Sequence, residues 1–320
     1  MDGELSMAKV FIDGEAGTTG LGIRARLVNL PEIELIGLSE SDRKNADARR
    51  EAMRASDVTV LCLPDDAAVQ AVAIAQGLGA AAPKILDAST SHRVAEGWTF
   101  GFAELAAGQA EAIAEARLVS NPGCYPTGAI ALLRPLVKAG MLARDADVTI
   151  NAVSGYSGGG KAMIAAHERD GGPPFELYGL GLRHKHVPEI MRYAGLRRRP
   201  IFVPSVGHFR QGMLVSIPLF LDGLAGAPSA HEVSEVYREY FDGVLRVRPA
   251  AGVSAGNLDP EALNDTDLLE IFVCADGDQA VLVARLDNLG KGASGAAVQN
   301  IALMLGLADP LLALKEHIHA

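Results

Sequence analysis

The sequence is poor in the features that mark secreted, membrane-bound or nucleic-acid-binding proteins. It has only three cysteines, Cys62, Cys124 and Cys274. An odd count without paired spacing excludes a disulfide framework and fits a reducing compartment. Lys and Arg (29) are outnumbered by Asp and Glu (39), for a formal charge of −10, and no basic run exceeds Arg197-Arg198-Arg199. A phosphate-backbone partner is therefore not expected. No apolar run approaches the ~18 residues of a membrane span, and the N-terminus has no apolar signal core, so a cytoplasmic protein without a membrane partner is expected. Internal repeats and low-complexity tracts are also missing. What is present is 49% hydrophobic residues in a chain of 320, enough for a large core and, at this length, for two domains or one elaborated one.

From Ala8 to Asn121 short β-branched runs alternate with helical stretches, the pattern of a parallel sheet wrapped by helices. Strands are expected at Lys9–Ile12, Glu34–Leu38, Val58–Leu63, Lys84–Asp87 and Leu118–Ser120. Helices are expected at Thr19–Leu30, Ala46–Arg54 and Asp65–Gln76, the last opened by two acidic residues. The opening MDGELS precedes a second methionine, Met7, and is left out of this reading. After about Leu142 the runs lengthen, at Val148–Val153, Ile201–Val206, Met213–Leu219, Asp267–Val273 and Ala280–Leu286, with wide connections. That pattern suits an antiparallel or mixed sheet. The apolar helix Gly295–Leu305 can return to the first domain. The expected division is 7–123 with 291–320, and 124–290.

The first strand runs into Asp13-Gly14-Glu15-Ala16-Gly17-Thr18-Thr19-Gly20 and then a helix. Glycines there permit a tight turn and close approach of a pyrophosphate, and the helix N-terminus offers amide donors and a favourable dipole. The spacing is Gly-x-x-Gly-x-x-Gly, not the usual Gly-x-Gly-x-x-Gly. The expected fold class is thus α/β: a Rossmann-type parallel-sheet domain plus an α+β catalytic domain with a mixed or antiparallel sheet. After the second strand, Glu40 lies where an acidic residue would hold the ribose 2′-hydroxyl of NAD, whereas Ser39, Arg43 and Lys44 suit the 2′-phosphate of NADP. The serines and the basic pair favour NADP(H). Cys62, in the apolar run of the third expected strand, reads as a core thiol, and it is also counted among the candidate cofactor-lining residues.

In Ser-Asn-Pro-Gly-Cys-Tyr-Pro-Thr-Gly, Pro122 and Gly123 end a strand and Tyr125–Leu136 can form a helix. A thiol at that junction feels the positive end of the helix dipole and nearby amide donors, which suit a nucleophile and an oxyanion. Cys124 is therefore the candidate nucleophile.

Five segments together resemble the N-acetyl-γ-glutamyl-phosphate reductase family. They are the glycine turn, Asn-Pro-Gly-Cys-Tyr-Pro-Thr-Gly at 121–128, Ser-Gly-Tyr-Ser-Gly-Gly-Gly-Lys at 154–161, Arg-His-Lys-His-Val-Pro-Glu-Ile at 183–190 and Asn-Leu-Gly-Lys-Gly-Ala-Ser-Gly at 288–295. Their order and the chain length look like the shorter of that family's two types, related to aspartate-semialdehyde dehydrogenase. The resemblance implies an NADPH-dependent conversion of N-acetyl-glutamyl 5-phosphate to its semialdehyde, with release of phosphate, in arginine synthesis. It implies that Cys124 forms a thioester and that His184 or His186 moves the proton. If that segment were extended, residues two apart would face one way, and Pro188 disfavours helix just before it. His208 is a third candidate, although its place entering a strand also suits a structural role.

A substrate with a carboxylate and a phosphate calls for cations, and Arg93, Lys161, Arg183 and Arg210 are the candidates. The 154–160 segment, with Ser154, Ser157 and Gly158, offers amides to an anion or to nicotinamide, or is simply a flexible loop. In the related dehydrogenases a late asparagine contacts the nicotinamide carboxamide, and Asn288 fits that place. No metal set is recognisable. His167-Glu168 reads as a solvated helix face, and His317 and His319 as chain-end residues. The expected partner is a small acyl phosphate, and a homodimer or homotetramer is expected. Two rival readings remain: a reductase acting on aspartyl phosphate or an aminoadipyl analogue, and a dinucleotide-binding regulator without catalysis.

Overall fold

The structure, a computed structural model, describes residues 7–254 and 256–308. His317 and His319 lie outside the described residues. In chain order the elements are β1 (Ala8–Asp13), α1 (Thr18–Leu27), β2 (Ile33–Ile36), α2 (Ala46–Ala55), β3 (Val58–Leu61), α3 (Asp65–Gln76), β4 (Lys84–Asp87), β5 (Thr99–Phe100), α4 (Gln109–Glu115) and β6 (Leu118–Ser120). There follow α5 (Cys124–Lys138), β7 (Thr149–Gly155), α6 (Gly160–Asp170), β8 (Phe175–Leu177), α7 (Val187–Ala194), β9 (Ile201–Gly207) and β10 (Met213–Phe220). The last are α8 (Ala230–Tyr240), β11 (Val247–Ser254), β12 (Leu269–Asp276), β13 (Gln279–Leu286) and α9 (Gly295–Leu305). Among the described residues no helix is long and apolar enough to cross a membrane. The chain divides into two compact units, one running to Pro122 and resuming at Ala293, the other Gly123–Gly292.

The first unit is a parallel sheet in the order β2-β1-β3-β4-β6-β5. Helices cover both faces. Ile23 and Leu27 of α1, Ile113 of α4 and Ile301 of α9 pack with Val10, Val60 and Leu86 on one side. Met53 of α2 and Ala68, Ala71 and Val72 of α3 pack with Phe11, Leu61 and Ile85 on the other. The strand order reverses between β1 and β3, and a ligand crevice forms at such a switch point, outside the carboxyl ends of the strands. The glycine turn follows β1 there. The helix starts are locally encoded: Asn45 caps α2 by accepting from the Asp47 and Ala48 amides, and α3 opens on Asp65 and Asp66.

The second unit is a seven-stranded mixed sheet in the order β11-β12-β13-β10-β7-β9-β8, with parallel pairs β7–β9 and β11–β12. Helix α5 is buried along almost its whole length. It packs on β10 and β13 beside α7, while α8 packs on β11 and β12. Close approach needs Gly128, where a Cβ would lie 2.8 Å from Val215 Cγ2. The opposite sheet face carries the alternate residues, Val153, Val203, Leu214, Val281 and Val283 among them, which line a broad open depression. Phe175 (57% exposed) and Leu177 (48%) continue that apolar surface on the edge strand β8.

Strands β5, β8 and β11 were not expected. The first two are only two and three residues long, too short for a period of two to show, and β11 contains Pro249 and Gly252, which mask a strand. Strand β3 stops at Leu61, two residues short of the expected end, because Pro64 directly precedes α3.

Candidate active site

In the first unit the turn after β1 is shaped by glycine. Gly14 has φ +87°, and a Cβ there would lie 2.3 Å from the Cys62 carbonyl oxygen; at Gly20 it would lie 2.7 Å from Glu15 Cα. Neither position tolerates a side chain. Gly17 caps α1 without a side-chain hydrogen bond, so the first-turn amides of Thr18, Thr19 and Gly20 have no intrahelical acceptor, the arrangement that favours an anion at a helix start. Asp13, buried at the strand end, accepts Arg49 Nε and Nη2 at 2.9 and 2.6 Å. Burial pushes its carboxyl up, and Arg49 opposes that shift.

A cleft beside the turn is lined by Gly14, Glu15, Leu38, Arg43 and Leu63. Arg43 Nη2 donates to Glu15 Oε1 at 3.0 Å, Ser39 Oγ donates to Asp42 at 2.6 Å, and Lys44 and Glu40 are exposed. The Cys62 thiol is pushed up to about 12, first by burial and then by the charges of Asp87 and Asp13. A thiol so shifted stays protonated, and the Cys62 carbonyl meets the glycine turn. Arg93 is buried; its Nε donates to the Asn121 carbonyl at 3.0 Å and its Nη2 to that of Ala88 at 3.2 Å.

In the second unit Cys124 is the first residue of α5, behind the N-cap Gly123, half-buried and in no disulfide. The residue at 292 must be glycine, since a Cβ there would lie 2.9 Å from Cys124 Cβ. Tyr125 anchors the helix start by donating to the Ser205 carbonyl at 3.0 Å, and Tyr178 donates to the Tyr125 hydroxyl at 3.2 Å. Burial pushes both phenols up, Tyr178 to about 12.

The Arg183–His186 segment is not extended. His186 has helical backbone angles and caps α7, with Pro188 in the first turn, where the ring's fixed φ and missing N–H are tolerated. The two imidazoles still converge, because the turn folds them together: their ring centroids are 4.7 Å apart, and both lie about 6 Å from the Tyr125 ring, at 6.1 and 6.0 Å. The His186 amide donates to His184 Nδ1 at 3.2 Å. Burial, and then the Lys185 charge, lowers the His184 pKa.

Ser154, Ser157 and Asn288 are buried. The Asn288 amide is held from two sides: its Oδ1 accepts the Gly212 amide at 2.8 Å and its Nδ2 donates to Ser157 Oγ at 2.9 Å. Gly158 adjoins them, since a Cβ there would lie 3.1 Å from Ser154 Oγ and 3.4 Å from Asn288 Nδ2. Lys161, Arg183 and Arg210 are exposed, and Arg210 pairs with Glu168. His167 is buried, not solvated as the sequence suggested. Its ring stacks on Tyr156 and its Nδ1 lies 2.9 Å from His208 Nδ1, because the chain folds back over it at Gly172, where a Cβ would lie 2.4 Å from His167 Nδ1. Among the described residues no group of three or more His, Cys, Asp or Glu could hold a metal ion.

Sequence reasoning missed Glu189, a buried carboxylate whose Oε1 accepts the Gly123 amide at 2.8 Å. It also missed Tyr178 and the buried Asp287. Glu189 lay inside a quoted motif, and an acidic residue among the apolar positions of a helix was the available signal; Tyr178 and Asp287 carried none.

The family described as semialdehyde dehydrogenase, dimerisation domain, matches residues 124–288. N-acetyl-γ-glutamyl-phosphate reductase from Brucella anthropi is 54% identical over 93% of this chain and 98% of its own. The Brucella ovis protein of the same name is 53% identical over 93% and 99%. Among solved structures, aspartate semialdehyde dehydrogenase II from Vibrio cholerae superposes with a TM-score of 0.70 at 16% identity, covering 94% of this chain and 99% of that one. Aspartate semialdehyde dehydrogenase with NADP from Candida albicans gives 0.66 at 15%, covering 94% and 99%. The structural likeness shows a shared fold, and the identity and coverage of the Brucella relatives show that this chain belongs to the N-acetyl-γ-glutamyl-phosphate reductase family.

Proposed function

We propose that the protein reduces N-acetyl-L-glutamyl 5-phosphate to the 5-semialdehyde with release of phosphate, using NADPH. The observation that carries the reading is Cys124 at the first turn of a buried helix, packed through Tyr125 against two histidines. The thiolate displaces phosphate from the acyl carbon to form a thioester, which splits one hard reduction into two easier steps. Reduction gives a thiohemiacetal, whose collapse returns the thiolate and frees the aldehyde.

The hydrogen bond from the His186 amide to His184 Nδ1 divides the work between the imidazoles. A neutral His184 must carry its proton on Nε2, so toward substrate it donates and does not accept. Its lowered pKa keeps it in that form. His186 is then the group that takes the thiol proton and returns one at collapse. The first-turn amides of α5 stabilise the oxyanion.

The first unit, 7–123 with 291–320, would be the dinucleotide-binding domain, and 124–290 the catalytic and oligomerisation domain. Gly14, Gly17, Thr18, Thr19 and Gly20 would hold the pyrophosphate. Ser39, Arg43 and Lys44 would meet the 2′-phosphate, with Cys62 in the wall. When bound, NADPH supplies the hydride. Asn288, with Ser157 and Gly158 beside it, would meet the nicotinamide carboxamide, while Ser154, Arg93, Lys161, Arg183 and Arg210 would serve the substrate anions. A second copy would cover the apolar sheet face of a homodimer or homotetramer.

The test is the reverse reaction. The purified protein should reduce NADP only when N-acetyl-glutamate semialdehyde and phosphate are both present. Phosphate-independent turnover, or preference for aspartate semialdehyde, would overturn the reading.

A further inference from the structure

We infer that Gln211 is a positioning residue for the Asn288 amide, an inference that rests on the reading of Asn288 as the nicotinamide contact. Two consecutive residues of the β9–β10 loop are bonded to two consecutive residues after β13. Gln211 Nε2 donates to Asp287 Oδ2 at 2.6 Å, and the Gly212 amide donates to Asn288 Oδ1 at 2.8 Å. The two bonds form adjacent rungs between the loops.

Both supports are rigid. Asp287 is fully buried, and its carboxylate also accepts the Asp265 amide at 2.9 Å and the Leu289 amide at 2.8 Å. Gly212 has φ +102°, and a Cβ there would lie 2.3 Å from the Pro260 carbonyl oxygen, so no other residue fits. The same loop is zipped to the end of β7 and the two residues after it: Phe209, Arg210 and Gly212 carbonyls accept the Tyr156, Ser157 and Gly155 amides at 2.9, 3.0 and 2.9 Å.

The oxygen and nitrogen ends of an asparagine amide are nearly alike in shape, so only donors and acceptors decide which way it faces. A flipped Asn288 would set its NH2 against the Gly212 N–H. The direction of that N–H therefore sets the amide, and the peptide unit that carries it is held by the Gln211–Asp287 rung together with Asn264 Nδ2, which donates to the Gln211 carbonyl at 3.2 Å. With Oδ1 engaged by Gly212 and one Nδ2 hydrogen on Ser157 Oγ, Asn288 has its second Nδ2 hydrogen to offer to a carboxamide oxygen. Without the Gln211 rung the backbone bonds still hold the loop, but the Gln211–Gly212 peptide is free to tilt about them and that donor loses its aim, although no atom of Gln211 need touch the cofactor.

The experiment compares binding of NADPH with binding of 2′-phospho-ADP-ribose, which has the same anionic end and no nicotinamide, in the full-length parent, Gln211→Met and Asn288→Ala. Both variants are expected to weaken NADPH roughly tenfold, the scale of one hydrogen bond to a charged or well-aimed group, and to leave the fragment unchanged. Equal weakening of both ligands in Gln211→Met would make Gln211 a prop of the fold and overturn the inference. A defect in Asn288→Ala without one in Gln211→Met would also overturn it while sparing the reading of Asn288. No defect in Asn288→Ala would remove that reading and the inference with it. Should Gln211→Met not fold, Gln211→Glu is of the same size and can make the rung only by sharing a proton with Asp287, or with Asp265, which lies 3.2 Å from Gln211 Nε2. Its NADPH affinity should recover as pH falls, and a pH-independent affinity equal to the parent's would overturn the inference.

Discussion

The Glu189 carboxylate accepts the Gly123 amide at 2.8 Å, so the N-cap of the Cys124 helix is tied to the helix that follows the two histidines. A carboxylate near a helix N-terminus is favourable to the helix. Here it also fixes nucleophile and imidazoles to one frame, since His186 caps α7 and Glu189 lies in its first turn.

Removing that acceptor should leave a buried N–H unsatisfied. Glu189→Ala is expected to cost about 1–3 kcal/mol of unfolding free energy, measured by urea denaturation. Glu189→Gln keeps an oxygen acceptor and should lie much nearer the parent. Equal losses in the two variants would mean the hydrogen bond is not what matters.

The division between the histidines predicts unequal kinetics. His186→Ala should lower kcat by roughly 10²–10⁴, the usual worth of a general acid–base group. His184→Gln, which keeps a side-chain donor, should act mainly on KM for the acyl phosphate. Steady-state assays of both variants check this, and the reverse pattern would exchange the two roles.

Much of this was legible in the sequence. Strands β4 and β6 and helices α3 and α9 fall where the apolar pattern put them; local signals mark several of their ends, with Pro64 before α3 and left-handed Gly306 after α9. The histidine segment was misread: Pro188 marks a boundary equally well by ending an extended run or by standing in the first turn of a helix, and only packing chooses. His167 looked solvated for a related reason, since its burial comes from Gly172 and His208, which lie 5 and 41 residues away. Glu189 and Gln211 act through partners 66 and 76 residues distant, a relation that no local period carries.

Burial gives the protein an acid-side liability at His184. Its pKa is lowered from 6.5, so the unfolded chain takes up this proton near 6.5 while the folded chain holds out to lower pH. Between the folded value and 6.5 the unfolded state binds more protons, and stability falls as pH is lowered. Below the folded value the penalty is constant. His184→Gln should therefore lose less stability than the parent between about pH 7.5 and about pH 5, by urea unfolding at each pH. An equal loss would contradict the assignment.

The apolar sheet face predicts self-association. Val281, 39% exposed on β13, lines the depression with Leu214 and Val283. Val281→Asp would place a charge at a desolvated contact, so light scattering should show a smaller particle than the parent. An unchanged mass would place the interface elsewhere.

The most direct test is on the sulfur. Incubation with N-acetyl-glutamyl phosphate in the absence of NADPH should release phosphate and leave an N-acetylglutamyl group on the peptide containing Cys124, seen by peptide mass spectrometry and lost in Cys124→Ser. An acyl group on another residue, or turnover retained by Cys124→Ser, would contradict the account.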